Sequence, residues 1–216
     1  MVVIRHLTGN APKAGKLRNV SFDFDGVLAD SHTRVLELFN REPGAIPARK
    51  EDIVDYDMTK FLRYDDGKRI SYEHLVELFL VAYSEPKKMP MVHPDTHLII
   101  NAMRGGRFVA LNSQTIATPD QVMDFVDSHR IPIDAIYLSE NADEKARHAQ
   151  STHVDDQDSF MGTLGTLAPS SVRIKLARPW SGVLATDFTN DFVAADMVGV
   201  ANLIMDARSP LNRLYA

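Results

Sequence analysis

The chain has no cysteine, which excludes disulfides, thiol nucleophiles and a cysteine-held zinc site. It has one tryptophan, Trp180, and no apolar run long enough to cross a bilayer. The apolar part of Met1 to His6 is too short for a secretory signal, so a cytoplasmic protein is expected. Positive charge is in the minority: 24 Lys and Arg stand against 29 Asp and Glu, a formal net charge of −5. That argues against nucleic-acid polymers and anionic membranes as partners. It does not argue against a small phosphorylated substrate, because a bound metal inverts the local field. The patterns G-x-x-x-x-G-K-[ST], G-x-G-x-x-G and G-x-S-x-G are missing too, which leaves P-loop, dinucleotide-binding and nucleophile-elbow readings without support.

What is present suffices for a folded domain. With 44% hydrophobic and 25% charged residues in 216, the chain can bury a sizeable core as one domain with a small insertion. Residues 1–18 read as an N-terminal extension or a loose first strand. Val20 to Phe24 is rich in β-formers and predicts strand one. Ser31 to Arg41 has helical spacing with Ser31 as N-cap, and Pro43-Gly44 ends it. A second helix spans about Ser71 to Ser84 and stops at Pro86. No strand signal appears between strand one and Phe108, so residues 30–92 predict a helical cap inserted after strand one.

From Pro94 the elements alternate. A helix runs to Met103, closed by Gly105-Gly106, and strand two covers Phe108 to Leu111. Thr118-Pro119-Asp120-Gln121 is a capping box that opens the next helix, to about Ser128. Strand three is Ala135 to Leu138, a short helix is Asp143 to Gln150, and strand four is Thr152 to Val154. Val172 to Leu176 is strand five, and Asn190 to Met205 predicts the last helix. This order implies an α/β fold with a parallel sheet and right-handed crossovers. Its core would comprise residues 19–29 and 93–216.

Asp23-Phe24-Asp25-Gly26 is the most informative stretch. Two carboxylates two residues apart end a hydrophobic strand, where open α/β sheets place their sites. Such crowding is costly without a cation or a shared proton, and a divalent metal is the natural partner. Asp155-Asp156 supplies a second acidic pair at the end of strand four. Ser113 follows strand two, with Asn112 the candidate if the register is shifted by one. Lys145 is the only lysine between Lys88 and Lys175, with Arg147 and Arg130 as fallback cations.

The string Asp23-Phe24-Asp25-Gly26-Val27-x-x-Asp30 resembles the first motif of the haloacid dehalogenase-like phosphatases. Ser113, Lys145 and Asp155-Asp156 match that superfamily's second, third and fourth motifs. The resemblance implies a Rossmann-like sheet of order 3-2-1-4-5 with helices on both faces. It also implies Asp23 as nucleophile, Asp25 as general acid/base, and Ser113 and Lys145 on the phosphoryl oxygens. Mg²⁺ would be held by Asp23, the Asp25 backbone carbonyl and Asp156, with Asp155 acting through water or a hydrogen bond.

Arg178-Pro179-Trp180 after strand five, with Lys50 to Asp57, is similar to the 5′(3′)-deoxyribonucleotidase-like branch. The chain departs from it at Ser181, and Thr186 to Thr189 lacks an arginine. The expected activity is a Mg²⁺-dependent phosphomonoester hydrolase acting on a nucleoside monophosphate. The alternatives are a sugar-phosphate or other small-phosphoester phosphatase, and a non-catalytic binding protein on the same fold. Phe39, Tyr56, Phe61, Tyr64 and Tyr72 are cap aromatics able to stack on a base. His153 is expected as a packed or hydrogen-bonded residue. His93 and His97 are not expected to hold zinc, since no third ligand accompanies them.

Overall fold

The computed structural model describes residues 3–8, 19–180 and 191–205. Their strands form one sheet: Val3–His6 (β1), Val20–Phe22 (β2), Val109–Ser113 (β3), Ala135–Leu138 (β4), Thr152–Asp155 (β5), Val172–Leu176 (β6) and Asp191–Ala194 (β7). The spatial order is β1-β4-β3-β2-β5-β6-β7. Strands β4-β3-β2-β5-β6 reproduce the expected 3-2-1-4-5 order, and all their pairings are parallel. β2 sits at the centre, at the switch between rightward and leftward winding.

Two strands extend that sheet. β1 pairs antiparallel with β4 at one edge, Val3 opposite Leu138. β7 adds a parallel strand at the other edge. Asp191-Phe192-Val193-Ala194 was expected as the start of the last helix. It pairs as a strand because Phe192 and Val193 suit a pleated surface and β6 offers an open edge.

The helices are Ser31–Phe39 (α1), Tyr72–Ser84 (α2), Thr96–Arg104 (α3), Pro119–Ser128 (α4), Ala142–His148 (α5), Asp158–Leu167 (α6) and Met197–Met205 (α7). Every residue of β3 and β6 is buried, as expected of strands covered by helices on both faces. Thr118 caps α4 in the predicted box with Gln121, and Ser71 caps α2. Asp30, not Ser31, is the N-cap of α1, and its carboxylate pairs with Lys50 instead of the helix N–H groups. α6 has no counterpart in the sequence reading. Gly162 and Gly165 lower its intrinsic propensity, but the crossover from β5 to β6 and the burial of Phe160, Met161 and Leu164 hold it helical.

Between β2 and α3 the chain carries α1, α2 and two 3₁₀ turns, Lys50–Asp52 and Met58–Lys60. α1 packs on α2. Arg34 ties them, donating to Glu37 at 2.6 Å and to Glu85, just past α2, at 2.5 Å. The chain leaves and re-enters the sheet layer side by side. Asp30 N–H donates to Pro90 O at 2.8 Å, and Val92 N–H donates to Leu28 O at 3.0 Å. This short double crossing joins the inserted segment to the rim where β2 ends.

Candidate active site

The site begins where β2 stops. Asp23 N–H still donates to Val154 O of β5 at 2.9 Å, after which the chain turns. Leu28 and Ala29 N–H both donate to Phe24 O, and Gly26 N–H donates to Ala29 O, each at 2.9 Å. Gly26 has φ +75°, and a Cβ there would lie 2.3 Å from Asp156 Oδ2. Position 26 therefore needs glycine for both its backbone and its clearance. Phe24 drives into the core, edge-on to Phe125 at 5.2 Å. Asp23 and Asp25 flank it at the rim.

Asp23, Asp155 and Asp156 can each offer an oxygen within 4.8 Å of the others, and all three are buried. Lys145, from α5, places Nζ 2.7 Å from Asp155 Oδ2 and 3.1 Å from Asp23 Oδ1. The two neighbouring acids differ in their partners. Asp155 is satisfied on both oxygens: Oδ2 also meets His153 Nε2 at 3.1 Å, and Oδ1 accepts Gln157 N–H at 2.9 Å. Asp156 Oδ2 accepts Trp180 Nε1–H at 2.7 Å, while its Oδ1 is buried without a hydrogen-bond partner. Asp23 Oδ1 has only the ion pair with Lys145.

His153 holds Asp155 from beneath. Ser21 Oγ accepts Gln150 N–H at 2.9 Å and lies 2.8 Å from His153 Nδ1. The Ser21 hydroxyl hydrogen is then directed to Nδ1, so the imidazole carries its proton on Nε2, toward Asp155.

Electrostatics separates the acids further. Burial pushes Asp23 up to about 7, against the pull of Lys145 and with the help of Asp155. Burial, then Asp155 and Asp23, hold Asp156 well above the carboxylate range. Burial acts the same way on Asp155, but Lys145 and His153 together outweigh it and Asp155 falls to about 2. Burial alone would lower Lys145; Asp155 and Asp23 reverse this and raise it above its ordinary value. Three buried carboxylates thus stand beside one ammonium, which pairs with Asp155 and Asp23 and leaves Asp156 without an ion pair among the described residues. The Asp156 oxygen without a partner and the Asp23 oxygen without a hydrogen bond, together with this excess of acid, fit a hard divalent cation such as Mg²⁺.

Asp25 faces the other way. Its Oδ1 accepts the Tyr83 hydroxyl of α2 at 2.7 Å, and the Thr115 and Ser31 hydroxyls approach its carboxylate. Burial raises its pKa in spite of them. Its side chain is not part of the acidic trio, so any share in a metal site falls to its backbone carbonyl. Ser113 is fully buried at the end of β3, and its hydroxyl approaches Asp23 without completing a well-formed hydrogen bond. Asn112 points elsewhere, donating from Nδ2 to Lys145 O at 2.9 Å, so the two candidates take different tasks. Arg147 and Arg130 are exposed. His93 accepts Asp95 N–H through Nδ1 in the turn before α3, and neither His93 nor His97 joins the acidic cluster.

A cleft of about 700 Å³ opens beside Asp25 and Lys145, between α2 and the sheet's rim. Of the five expected aromatics, Tyr56 and Tyr72 line it. Phe39 is buried edge-on against Tyr64, and Phe61 packs into the core cluster. Three features escaped the sequence: the Tyr83 contact to Asp25, the Ser21–His153 support and the partner of Trp180. Tyr83 shares an α2 face with Leu75 and Ala82, which reads as core alone. Ser181 and Thr186 to Thr189 lie outside the described residues.

No family model matches the chain, and no curated protein matches it. Solved structures do. A haloacid dehalogenase-like hydrolase of Streptococcus pneumoniae superposes with TM-score 0.62 at 13% identity, covering 86% of this chain and 97% of that one. The L-2-haloacid dehalogenase of Xanthobacter autotrophicus gives 0.55 at 15%, covering 87% and 98%. A predicted phosphoglycolate phosphatase of Haemophilus somnus gives 0.53 at 11%, covering 88% and 99%. With β2 central, an acidic rim at its C-terminal end and this likeness along nearly the whole length, the chain has the haloacid dehalogenase-like fold.

Proposed function

We propose that the protein is a Mg²⁺-dependent phosphomonoester hydrolase that works through an aspartyl-phosphate, with a nucleoside monophosphate as substrate. The observation that carries this reading is the unequal pairing of the acids. Asp156 Oδ1 has no hydrogen-bond partner and Asp23 Oδ1 meets only Lys145, whereas Asp155 is spent on Lys145, His153 and Gln157. Mg²⁺ held by Asp23, Asp156 and the Asp25 backbone carbonyl would neutralise charge on the phosphoryl group. Asp23 attacks phosphorus, and the bond to the leaving oxygen breaks. Asp25 gives that oxygen its proton, a role suited to a carboxyl whose burial favours the neutral form. Asp25 then takes a proton from water, which attacks the aspartyl-phosphate, releases inorganic phosphate and restores Asp23. Lys145 and the Ser113 hydroxyl hold phosphoryl oxygens. Residues 30–92 serve as a cap over the α/β core, whose sheet β1 joins at the edge.

Turnover of p-nitrophenyl phosphate and of nucleoside monophosphates, with and without Mg²⁺, tests the reading against Asp23→Asn. Wild type should require Mg²⁺ and the variant should lose ~10³-fold or more. Equal rates would remove Asp23 as nucleophile. Metal-independent release of halide from a 2-haloacid, with no phosphate released from any ester, would place the chain with the dehalogenases instead.

A further inference from the structure

We propose that the cleft beside Asp25 accepts a phosphomonoester whose leaving group is uncharged and presents a flat apolar face, and that it discriminates against a second anionic group. This rests on the phosphatase reading of the site and adds the class of leaving group. The α2 wall of the cleft is formed by Tyr72, Leu75, Val76, Phe79 and Tyr83. It offers two hydroxyls, of Tyr72 and Tyr83, and that of Tyr83 is given to Asp25. Tyr72 is 69% exposed and Tyr56 47%, and both open onto the cleft. Such exposed rings lose water on stacking against a planar group, without ordering a long side chain.

Away from α2 the lining mixes apolar Ile116, Leu138 and Phe160 with the neutral polar side chains of Gln114, Thr115, Ser139 and Gln157. It gives a sugar or an amide hydrogen-bonding partners. It gives an anion little, because neutral donors do not repay the desolvation of a full charge. The only cation among the described lining residues is Lys145, already paired with Asp155 and Asp23. The other charged lining residues are acids: Asp25, Asp57 and Glu140. A carboxylate or second phosphate on the leaving group would enter a cleft of its own sign. The volume of about 700 Å³ suits a nucleoside-sized group.

The test uses matched pairs with Mg²⁺ present. Adenosine 5′-monophosphate is compared with adenosine 3′,5′-bisphosphate, and phenyl phosphate with 4-carboxyphenyl phosphate. The uncharged member of each pair should have a kcat/KM at least ~10-fold higher. Val76→Lys, which brings a cation onto the α2 wall, should shrink that ratio by about five-fold. Equal values, or preference for the anionic member, would overturn the proposal. Calorimetric binding of adenosine against adenosine 3′-monophosphate decides the same point without turnover. Tighter binding of adenosine, weakened ~10-fold in Tyr72→Ala, supports the cleft assignment; equal or tighter binding of the 3′-phosphate refutes it. Absence of phosphate release from every ester would refute the phosphatase reading alone, and the binding comparison would still judge the cleft.

Discussion

The acidic rim and the α2 wall of the neighbouring cleft are built by opposite physics. The sheet rim gathers Asp23, Asp155, Asp156 and Lys145 within ion-pair reach, all buried and each fixed by a strand end or a helix. The α2 wall is aromatic and aliphatic, and its polar link to the rim is the Tyr83 hydroxyl on Asp25. Dense buried charge gives a site one geometry, because any displacement strands a carboxylate. An apolar wall gives adaptable surface and little direction. The rim therefore suits bond breaking and the cap suits choosing what is attached to the bond. Changes in the rim should lower kcat for every substrate, and changes in the cap should alter KM according to the leaving group.

Lys145→Met should give the largest effect. It removes the cation paired with Asp155 and Asp23 and should cost ~10³-fold in turnover with every substrate. It should also destabilise the fold by about 3 kcal/mol, because Asp155 is left buried without its counter-charge. Urea unfolding and initial rates check both. A loss confined to one leaving group would break the division between rim and cap.

Gly26→Ala comes next. The new Cβ meets Asp156 and demands a left-handed backbone, so turnover should fall ~10²-fold and stability by about 1–3 kcal/mol. Tyr83→Phe acts on the join. Losing one hydrogen bond to Asp25 should lower kcat ~10-fold and stability by about 1 kcal/mol, with KM little changed.

His32 gives the smallest effect at neutral pH and a distinct one in acid. Its ring is buried, stacked on Trp180 at 4.5 Å and edge-on to Tyr56 and Phe79. Burial lowers its pKa from 6.5 to about 4. As pH falls below 6.5 the unfolded chain takes up this proton before the folded one does. Stability is therefore lost progressively between pH 6.5 and about 4. His32→Phe should remove that component, narrowing the loss between pH 7 and pH 5 by about 2 kcal/mol in urea titrations. Parallel pH profiles for the two proteins would show that His32 is not held neutral.

The same contrast explains what could be read from the chain beforehand. The strands could be placed from hydrophobic runs ending in punctuation, their order came from the family resemblance, and the α4 capping box followed from Thr118 and Gln121 alone. The candidate acids were visible because Asp23-x-Asp25-Gly26 and Asp155-Asp156 place charge where a strand must stop. β7 and α6 were not visible. Each is held by a tertiary demand, an open edge beside β6 and a crossover from β5, that overrides weak local propensity. Tyr83 was hidden for a similar reason. Its ring reads as core, and only the fold brings its hydroxyl to Asp25, 58 positions away. The Ser21–His153 support joins β2 to β5 across 132 positions, beyond any local pattern.

The most direct measurement is Mg²⁺ binding by calorimetry, without substrate, in wild type, Asp156→Asn and Asp155→Asn, with folding of each checked by urea unfolding. One Mg²⁺ should bind per chain in wild type, and Asp156→Asn should weaken it by ~10²-fold or more. Asp155→Asn should act mainly by unsettling Lys145, so its larger cost should appear in stability rather than in Mg²⁺ affinity. No binding by folded wild type, or unchanged binding in Asp156→Asn, would contradict the assignment of the Asp156 and Asp23 oxygens to a cation.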